Sequence, residues 1–154
     1  MVVVALVAIL ATIAIPMFAS EGRKAKAETE VAPLFAELQI REQQYKVDNN
    51  VYLAAAACPS APSTTPQDVT PCRASGTPWD VLRVRLPRTT VFCSYAVVVG
   101  TTTGTNNPQG FVFASPNMPW YYIVATCDMD GNSTPSTYFS SSVDSAIQKL
   151  SEGE

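Results

Sequence analysis

The hydrophobic positions of this chain form one long apolar run at the start and shorter, periodic groups after it. Residues 1–19 are apolar apart from the interruptions at Thr12 and Pro16, and residues 20–26 change abruptly to charge. At about 1.5 Å per residue, these nineteen residues would form a helix roughly 28 Å long, close to the hydrocarbon thickness of a bilayer. The pattern predicts that this apolar segment (residues 1–19) is a helix that fits a membrane.

Residues 20–50 continue this helix with an amphipathic pattern. Apolar residues recur at three- and four-residue spacing, which marks one helical face: Val31, Leu34, Phe35, Leu38 and Tyr45. We expect that face to be buried, and the charged residues to lie mainly away from it: Glu28, Glu30, Glu37, Arg41, Glu42 and Lys46. Glu37 and Arg41 have the spacing of a favourable helical ion pair. Kinks are expected near Pro16 and Pro33, because proline removes a backbone donor and clashes with the preceding turn.

The remainder, residues 51–154, reads as a β-rich head. Residues 54–78 contain five prolines among serines and threonines and are predicted to be a loop without regular structure. Alternating and β-branched stretches then predict strands at 79–86, 91–99, 110–115 and 120–126, with a final strand near 137–140 and a short terminal helix at 143–150. The predicted fold class is α+β, with the helix of residues 1–50 packed on an antiparallel sheet of about four strands within residues 79–140.

Composition narrows the function classes. A chain of 154 residues allows one domain besides the apolar segment. The net charge of -3 and the pI near 4.9 give no general attraction to nucleic acid. The chain has no histidine, which removes the commonest general base and excludes Ser-His or Cys-His catalysis within one chain. We therefore expect no enzyme and no catalytic residues.

Four cysteines are present, at positions 58, 72, 93 and 127. Neither a C-x-x-C spacing nor a histidine is available to complete a zinc site, so we expect two disulfides and a head outside the cytoplasm. Of the three pairings that four cysteines allow, we favour Cys58 with Cys72, at two ends of the Pro-rich loop, and Cys93 with Cys127, at two strand positions.

The apolar segment has three interpretations. A cleaved secretory signal would need a basic n-region and a shorter apolar core, and a plain transmembrane anchor needs only this length and composition. The third interpretation rests on the order of residues in MVVVALVAILATIAIP, from Met1 to Pro16, which resembles the N-terminal helix of type IV pilins and pseudopilins. The resemblance covers about the first thirty residues, and the position of Pro16 is its most specific mark.

The resemblance has two gaps. Family members carry a short basic leader, a glycine cleavage site and a Phe-Thr-Leu-Ile-Glu-Leu segment before the position of Met1, so we expect that residues preceding Met1 are missing from this sequence. Many members also have glycine where this chain has Ala8. Because alanine is the better helix former, melting of the helix between Ala8 and Pro16 in a filament is less expected here.

The resemblance implies the pilin fold and a structural subunit of a type IV pilus-like surface filament. The partners implied are identical subunits in a helical filament, the inner membrane before assembly, and the pilus assembly machinery; the final location is the cell surface. Packing in the filament core is assigned to the apolar segment: Val2, Val3, Val4, Leu6, Val7, Ile9, Leu10, Ile13, Ile15, Pro16 and Phe18. Two alternatives are a pseudopilin of a type II-like secretion system and, in another class, a monomeric membrane-anchored binding module.

Basic residues directly follow the apolar segment, at Arg23, Lys24 and Lys26. The positive-inside rule would keep a head behind such a flank in the cytoplasm, whereas the disulfides place it outside. A basic leader before Met1 would resolve this conflict. Otherwise these residues form a solvated turn or touch lipid phosphates.

One stretch of the head, residues 127–134, contains side chains that could bind a metal ion or carry a glycan. Asp128, Asp130 and Asn132 at alternate positions resemble the opening of a calcium loop, although the glycine comes before the third ligand and position 139 is Phe instead of Glu. Calcium is therefore the one cofactor considered, against the alternative of a turn rich in Asp and Asn. The same residues fit an acidic-x-Asn-x-Thr glycosylation pattern centred on Asn132.

Aromatic residues are frequent in the predicted strands. We expect them to be mostly core or sheet-face residues, with a carbohydrate-binding platform as the alternative: Trp79, Phe92, Tyr95, Phe111, Phe113, Trp120 and Tyr122.

Overall fold

The computed structural model describes the backbone of residues 2–86 and 88–150, and the side chains of residues 22, 23, 25–86 and 88–150. The fold is α+β: one long helix and an antiparallel five-stranded sheet, with two small two-stranded sheets beside them.

The long helix α1 is continuous from Val2 to Asn49 and runs through both Pro16 and Pro33 without ending. It ends where Asn50 adopts a left-handed conformation with φ of 60°, which only a few residue types tolerate. The Asn50 N–H donates to the Lys46 carbonyl at 2.8 Å, so one of the last carbonyls of the helix is satisfied.

The strands of the main sheet come from the whole length of the head. In chain order the strands are β1 (Ala55–Cys58), β2 (Gln67–Asp68), β3 (Thr90–Val91), β4 (Ser94–Gly100), β5 (Gly104–Asn106), β6 (Phe113–Ser115), β7 (Trp120–Cys127), β8 (Ser136–Ser141) and β9 (Gln148–Leu150). The main sheet has the order β1-β4-β7-β8-β9, while β2 pairs with β3 and β5 pairs with β6. Every pairing in the main sheet is antiparallel.

The two faces of the main sheet form two hydrophobic clusters. The face toward α1 carries Val97, Ile123 and Tyr138, which alternate with outward residues because side chains in a strand point to opposite faces in turn. The helix contributes a stripe at the matching helical period: Ala27, Val31, Leu34, Phe35, Leu38 and Glu42. Fully burying a residue such as Phe35 or Leu38 contributes about 1.5–3 kcal/mol, so this stripe holds α1 on the head.

The opposite face of the sheet carries an aromatic cluster. Phe111, Phe113, Trp120 and Phe139 are buried there, with Tyr122 and Val124 partly buried against them. The Trp120 indole N–H donates to the Thr102 carbonyl at 3.0 Å. The ring of Trp120 crosses its register partner Gly100, where a Cβ would lie 2.3 Å from the ring. A glycine is therefore required opposite this tryptophan.

The prediction for residues 79–86 was wrong. Pro78–Val81 form a short helix, α2, and the residues after it run outside the sheet. The cause is local: the Thr77 hydroxyl accepts a hydrogen bond from the Asp80 N–H at 3.3 Å, and Pro78 occupies the first helical turn. Both are helix-start features, and they outweigh the alternation in the residues that follow.

Three further predictions differ from the structure. The Pro-rich loop contributes β1 to the edge of the main sheet, where Ala55 pairs with Val97. Of residues 110–115, which were predicted to form a strand, only Phe113–Ser115 do so, and this strand pairs with β5 outside the main sheet. The terminal residues predicted as a helix instead supply β9, which pairs with β8, because the open edge of β8 offers backbone partners that a short isolated helix lacks. The main sheet therefore has five strands instead of about four.

Candidate assembly surface of the long helix

The residues assigned to filament-core packing lie outside the described side chains. The backbone is helical from Val2 onward, but nothing is described for the side chains of Val2, Val3, Val4, Leu6, Val7, Ile9, Leu10, Ile13, Ile15, Pro16 and Phe18. Among the residues that are described, no helix is long and apolar enough to cross a membrane.

Glu30 lies where α1 first meets the head, three residues after Ala27. Its carboxylate accepts hydrogen bonds from the Phe92 N–H at 3.0 Å, the Cys93 N–H at 2.9 Å and the Tyr95 hydroxyl at 2.9 Å. Burial, and then the Glu30 carboxylate beside it, raise the pKa of Tyr95, so this hydroxyl stays a proton donor. The three donors tie α1 to the start of β4.

Glu42 lies twelve residues further along the same face and is fully buried. Its Oε2 accepts the Leu53 N–H at 3.0 Å, while Oε1 is buried without a hydrogen-bond partner among the described residues. Burial raises the pKa of Glu42 to about 7, and the Leu53 hydrogen bond only partly offsets this. The expectation that Glu42 lies away from the buried face was wrong.

Glu37 lies nearer the surface of α1. It accepts a hydrogen bond from Arg41 at 2.8 Å, as the i, i+4 spacing predicted, and another from the Arg85 N–H at 3.1 Å. Burial alone would raise the pKa of Glu37, but these two hydrogen bonds and the charges of both arginines together hold it below its usual value.

Both disulfides have the favoured pairing. Cys58 is bonded to Cys72 within the Pro-rich loop, and Cys93 is bonded to Cys127 across the start of β4 and the end of β7. In the chain-entropy account, closing loops of 14 and 34 residues stabilises a fold by about 3 and 4 kcal/mol. The second disulfide adjoins the Glu30 hydrogen bonds, so that part of the head is tied both to α1 and to β7.

The acidic loop at 128–134 is a series of turns. The Asp128 carboxylate accepts a hydrogen bond from the Gly131 N–H at 2.8 Å. The Asp130 carboxylate accepts two from Asn132, one from its backbone N–H at 3.2 Å and one from its side-chain amide at 2.8 Å. The Asn132 side-chain oxygen accepts one from the Thr134 N–H at 2.6 Å. One oxygen of Asp128, both oxygens of Asp130 and the amide oxygen of Asn132 are thus bonded within the loop, as is usual for turns rich in Asp and Asn. The described residues contain no group of three or more His, Cys, Asp or Glu arranged to hold a metal. Asn132 is exposed, and its glycosylation stays a prediction.

The aromatic residues mostly occupy the core, as expected. Trp79, Tyr95, Phe111, Phe113 and Trp120 are buried, while Phe92 and Tyr122 are half-buried. Trp120 stacks on Tyr122 with ring centroids 5.9 Å apart. Because the neighbouring rings pack on each other, this cluster is explained by the second hydrophobic core and does not require a carbohydrate.

A groove with a volume of about 710 Å³ opens between one side of α1, from Gly22 to Leu34, and a part of the head that contributes Pro66, Leu86, Arg88 and residues 90–92. Lys26 and Arg88 line its two sides, and Pro33, Leu34 and Phe92 contribute apolar surface. The Lys26 ammonium lies 3.7 Å from the centre of the Phe92 ring, a cation–π contact. This groove was not predicted, because it joins residues about sixty positions apart in the sequence.

A signal for both inward-facing glutamates was present in the sequence. Glu30 lies four residues before Leu34, and Glu42 lies four residues after Leu38. Residues at that spacing share one face of a helix, so the apolar stripe itself places both carboxylates toward the head. Because both residues are charged, they were expected to lie away from the buried face of the helix.

Comparison of the chain with protein-family models, curated proteins and solved structures gives no match.

Proposed function

We propose that this chain is a structural subunit of a type IV pilus-like surface filament, with the pilin fold and with assembly through its apolar N-terminal helix. The observation that carries the proposal is the length of α1 relative to its contact with the head. The described core residues of α1 run from Ala27 to Glu42, whereas the helix begins at Val2. About 38 Å of helix therefore precedes Ala27, with a sequence that is almost entirely apolar up to Ala19.

The physical argument concerns what surrounds that apolar sequence. Leaving a Leu, Ile, Val or Phe side chain in water instead of burying it costs about 1.5–3 kcal/mol each, so the segment needs an apolar environment. A membrane supplies one for a single subunit, and the same segment of neighbouring subunits supplies another. Moving the segment from the membrane into contact with neighbouring subunits changes the free energy little for each apolar group, because both surroundings are apolar.

The way in which the head is attached to α1 supports the same proposal. The Glu30 hydrogen bonds fix the head to α1 where the apolar part of the helix approaches it, and the adjacent Cys93–Cys127 disulfide ties that part of the head to β7. A subunit that repeats in a filament needs a constant geometry between its helix and its head. Disulfides also fit an extracytoplasmic head.

The test is negative-stain electron microscopy of material sheared from the surface of cells that make Ile9→Lys. The proposal predicts filaments from the parent chain and none from the variant, because a charge in the middle of a helical bundle is costly to bury. Normal filaments from Ile9→Lys would reject packing through the apolar segment.

A matched control is Val47→Lys on the same helix. Val47 is 81% exposed on the head-bearing part of α1, so the same substitution should leave filaments intact. Intact disulfides in membrane-bound Ile9→Lys would show that its head folds and is exported. If the parent chain itself stays monomeric in the membrane, the anchored binding module replaces the filament subunit.

A further inference from the structure

The connection between β7 and β8 contains one asparagine in an acceptor sequence for a glycan. Asn132 is followed by Ser133 and Thr134, which satisfies the pattern N-x-S/T. None of the chain's other five asparagines has serine or threonine two positions later. An acidic residue, Asp130, also lies two positions before Asn132. A plain turn has the same composition, so the surroundings of the Asn132 side chain have to distinguish the two.

The hydrogen bonds of the Asn132 side chain fix the orientation of its amide. Its Oδ1 accepts a hydrogen bond from the Thr134 N–H at 2.6 Å, and its Nδ2 donates one to Asp130 Oδ2 at 2.8 Å. Because a backbone N–H can only donate and a carboxylate only accepts, the amide oxygen faces Thr134 and the amide nitrogen faces Asp130. The nitrogen is therefore in contact with the acidic residue of the acceptor sequence.

Both hydrogen bonds make the amide nitrogen a better nucleophile. An amide nitrogen is normally unreactive, because resonance with the carbonyl delocalises its lone pair. The Thr134 N–H stabilises negative charge on Oδ1, and the Asp130 carboxylate draws a proton away from Nδ2. Together the two contacts favour the imidic acid form of the side chain, in which the lone pair stays on nitrogen.

The position of the loop makes the Asn132 side chain accessible to an enzyme. Residues 131–134 are exposed. The stem of the loop is fixed, because Cys127 pairs with Ser136 in the sheet and is bonded to Cys93. An enzyme can therefore reach the loop without unfolding the head, and a bulky polar glycan attached there displaces none of the buried residues.

We propose that Asn132 is an N-glycosylation site, modified after export of the head by transfer from a polyprenyl-diphosphate-linked oligosaccharide. Nδ2 of Asn132 forms a bond with the anomeric carbon of the first sugar, while the bond between this carbon and the diphosphate of the lipid carrier breaks. The diphosphate leaves with the electron pair, and the proton lost from Nδ2 passes to water. Modification requires export of the head but no filament, so it goes beyond the proposed function.

The experiment is mass spectrometry of the full chain, produced in bacteria that contain an oligosaccharyltransferase and its polyprenyl-diphosphate oligosaccharide. A second exported protein with the same five-residue acceptor sequence in a loop, made in the same cells, shows that enzyme and donor are active. The proposal predicts the mass of one oligosaccharide on a peptide that contains Asn132, in chains whose two disulfides are intact. An unmodified chain beside a modified second protein would overturn the proposal.

Two pairs of variants test the assigned roles. Asn132→Gln should abolish modification, whereas Asn117→Gln, at another exposed asparagine, should leave it unchanged. Asp130→Asn should lower the modified fraction about ten-fold, because the hydrogen bond from Nδ2 then goes to a neutral acceptor. Asp128→Asn removes the same charge from the same loop, but its carboxylate accepts from the Gly131 N–H, so this variant should change the fraction little.

A glycan that persists in Asn132→Gln would be attached to a hydroxyl oxygen and would overturn the proposal. Equal losses in Asp130→Asn and Asp128→Asn would overturn the activation by Asp130. Intact disulfides in every variant show that the head is folded and exported. Filaments are scored in the same cells: a modified chain without filaments rejects only the proposed function, whereas filaments of an unmodified chain reject only the glycosylation site.

Discussion

Two carboxylates of α1, those of Glu30 and Glu42, face the head, and the head supplies very different numbers of hydrogen-bond donors to them. Glu30 accepts hydrogen bonds from three groups of the head. Glu42 is fully buried with one donor, and its second oxygen has no hydrogen-bond partner among the described residues. The difference teaches that burial of a charge stabilises the helix–head contact only where the head supplies donors.

The two ends of this contact should therefore respond differently to mutation and pH. The Glu30 end holds the helix by hydrogen bonds from three donors of the head. The Glu42 end contains a group whose charged form is disfavoured, so its contribution to the free energy of unfolding depends on pH. The following predictions test this contrast in order of expected size.

Glu30→Ala should be the most damaging of these changes. Hydrogen bonds to a charged group contribute about 1.5–3 kcal/mol each and are not additive, so we expect a loss of about 4 kcal/mol in the free energy of unfolding. The loss arises because the Phe92 and Cys93 N–H groups and the Tyr95 hydroxyl are left without their acceptor. Urea denaturation of the disulfide-intact protein measures it.

Glu28→Ala is the control for Glu30→Ala. Glu28 lies two residues before Glu30 on the same helix but is exposed, and it pairs with Lys149. An exposed ion pair contributes about 0–1 kcal/mol, so this variant should change little. Equal losses in the two variants would mean that the Glu30 hydrogen bonds do not hold the helix to the head.

Glu42→Gln should stabilise the protein at pH 8 and change little at pH 4.5. Burial raises the pKa of Glu42 from 4.5 to about 7. A raised carboxyl pKa means that the folded state is favoured while the group is protonated, so this stability is complete below pH 4.5 and is lost as the pH rises through 7. The loss in the parent protein is about 3 kcal/mol by pH 8, and the neutral glutamine avoids it.

Denaturation of parent and variant between pH 4.5 and 8 measures this difference. Tyr121 does not interfere, because burial raises its pKa to about 12 and it stays protonated throughout. A Glu42→Gln variant whose advantage is the same at every pH would contradict the assigned titration.

Tyr95→Phe should cost about 1–2 kcal/mol. The change removes one of the three donors to Glu30 and leaves the ring, which meets Phe35 edge-to-face with centroids 6.4 Å apart. In the background of Glu30→Ala the same change should cost almost nothing, because the hydroxyl has already lost its acceptor. A double-mutant cycle measures this coupling, and strictly additive losses would show that the two groups do not interact.

Arg41→Ala should have the smallest effect, about 0.5 kcal/mol. Its partner Glu37 is partly exposed, and the pair is an i, i+4 contact on the helix surface. The low pKa of Glu37 should rise toward its usual value when the arginine is removed. Carboxyl titration by NMR follows that pKa, and an unchanged value would show that the N–H and the charge of Arg85 determine it without Arg41.

The sequence predicted the parts of this fold that depend on local pattern. The long helix, β7 and β8 were recognised because apolar periodicity carries that information directly. The disulfide pairing favoured among the three possible ones is also the observed one, because it followed from the predicted loop and strand positions of the cysteines. Residues 79–86 were misread since their alternation was given more weight than the Thr77 cap and Pro78 before it. The edge strands β1 and β9 were missed because an Ala-rich or polar edge strand is determined by its neighbour and not by its own sequence.

The candidate surfaces were predictable to different extents. The apolar segment was evident from composition, and the inward-facing glutamates could have been found from their spacing to Leu34 and Leu38. The groove could not, because Lys26 and Arg88 line one groove only when the head is packed on α1. The oxygen-rich loop suggested calcium from its spacing alone, whereas hydrogen bonds within the loop engage the same oxygens.

The central claim is that this chain is the repeating unit of a surface filament with its apolar helices inside. Electron cryomicroscopy of filaments sheared from cells and pelleted by ultracentrifugation tests it most directly. The account predicts a helical assembly whose repeating density contains one five-stranded head and one long helix per subunit, with residues 1–19 of neighbouring subunits packed along the axis. A sheared fraction without this chain, or a filament whose axis contains the heads instead of the helices, would contradict it.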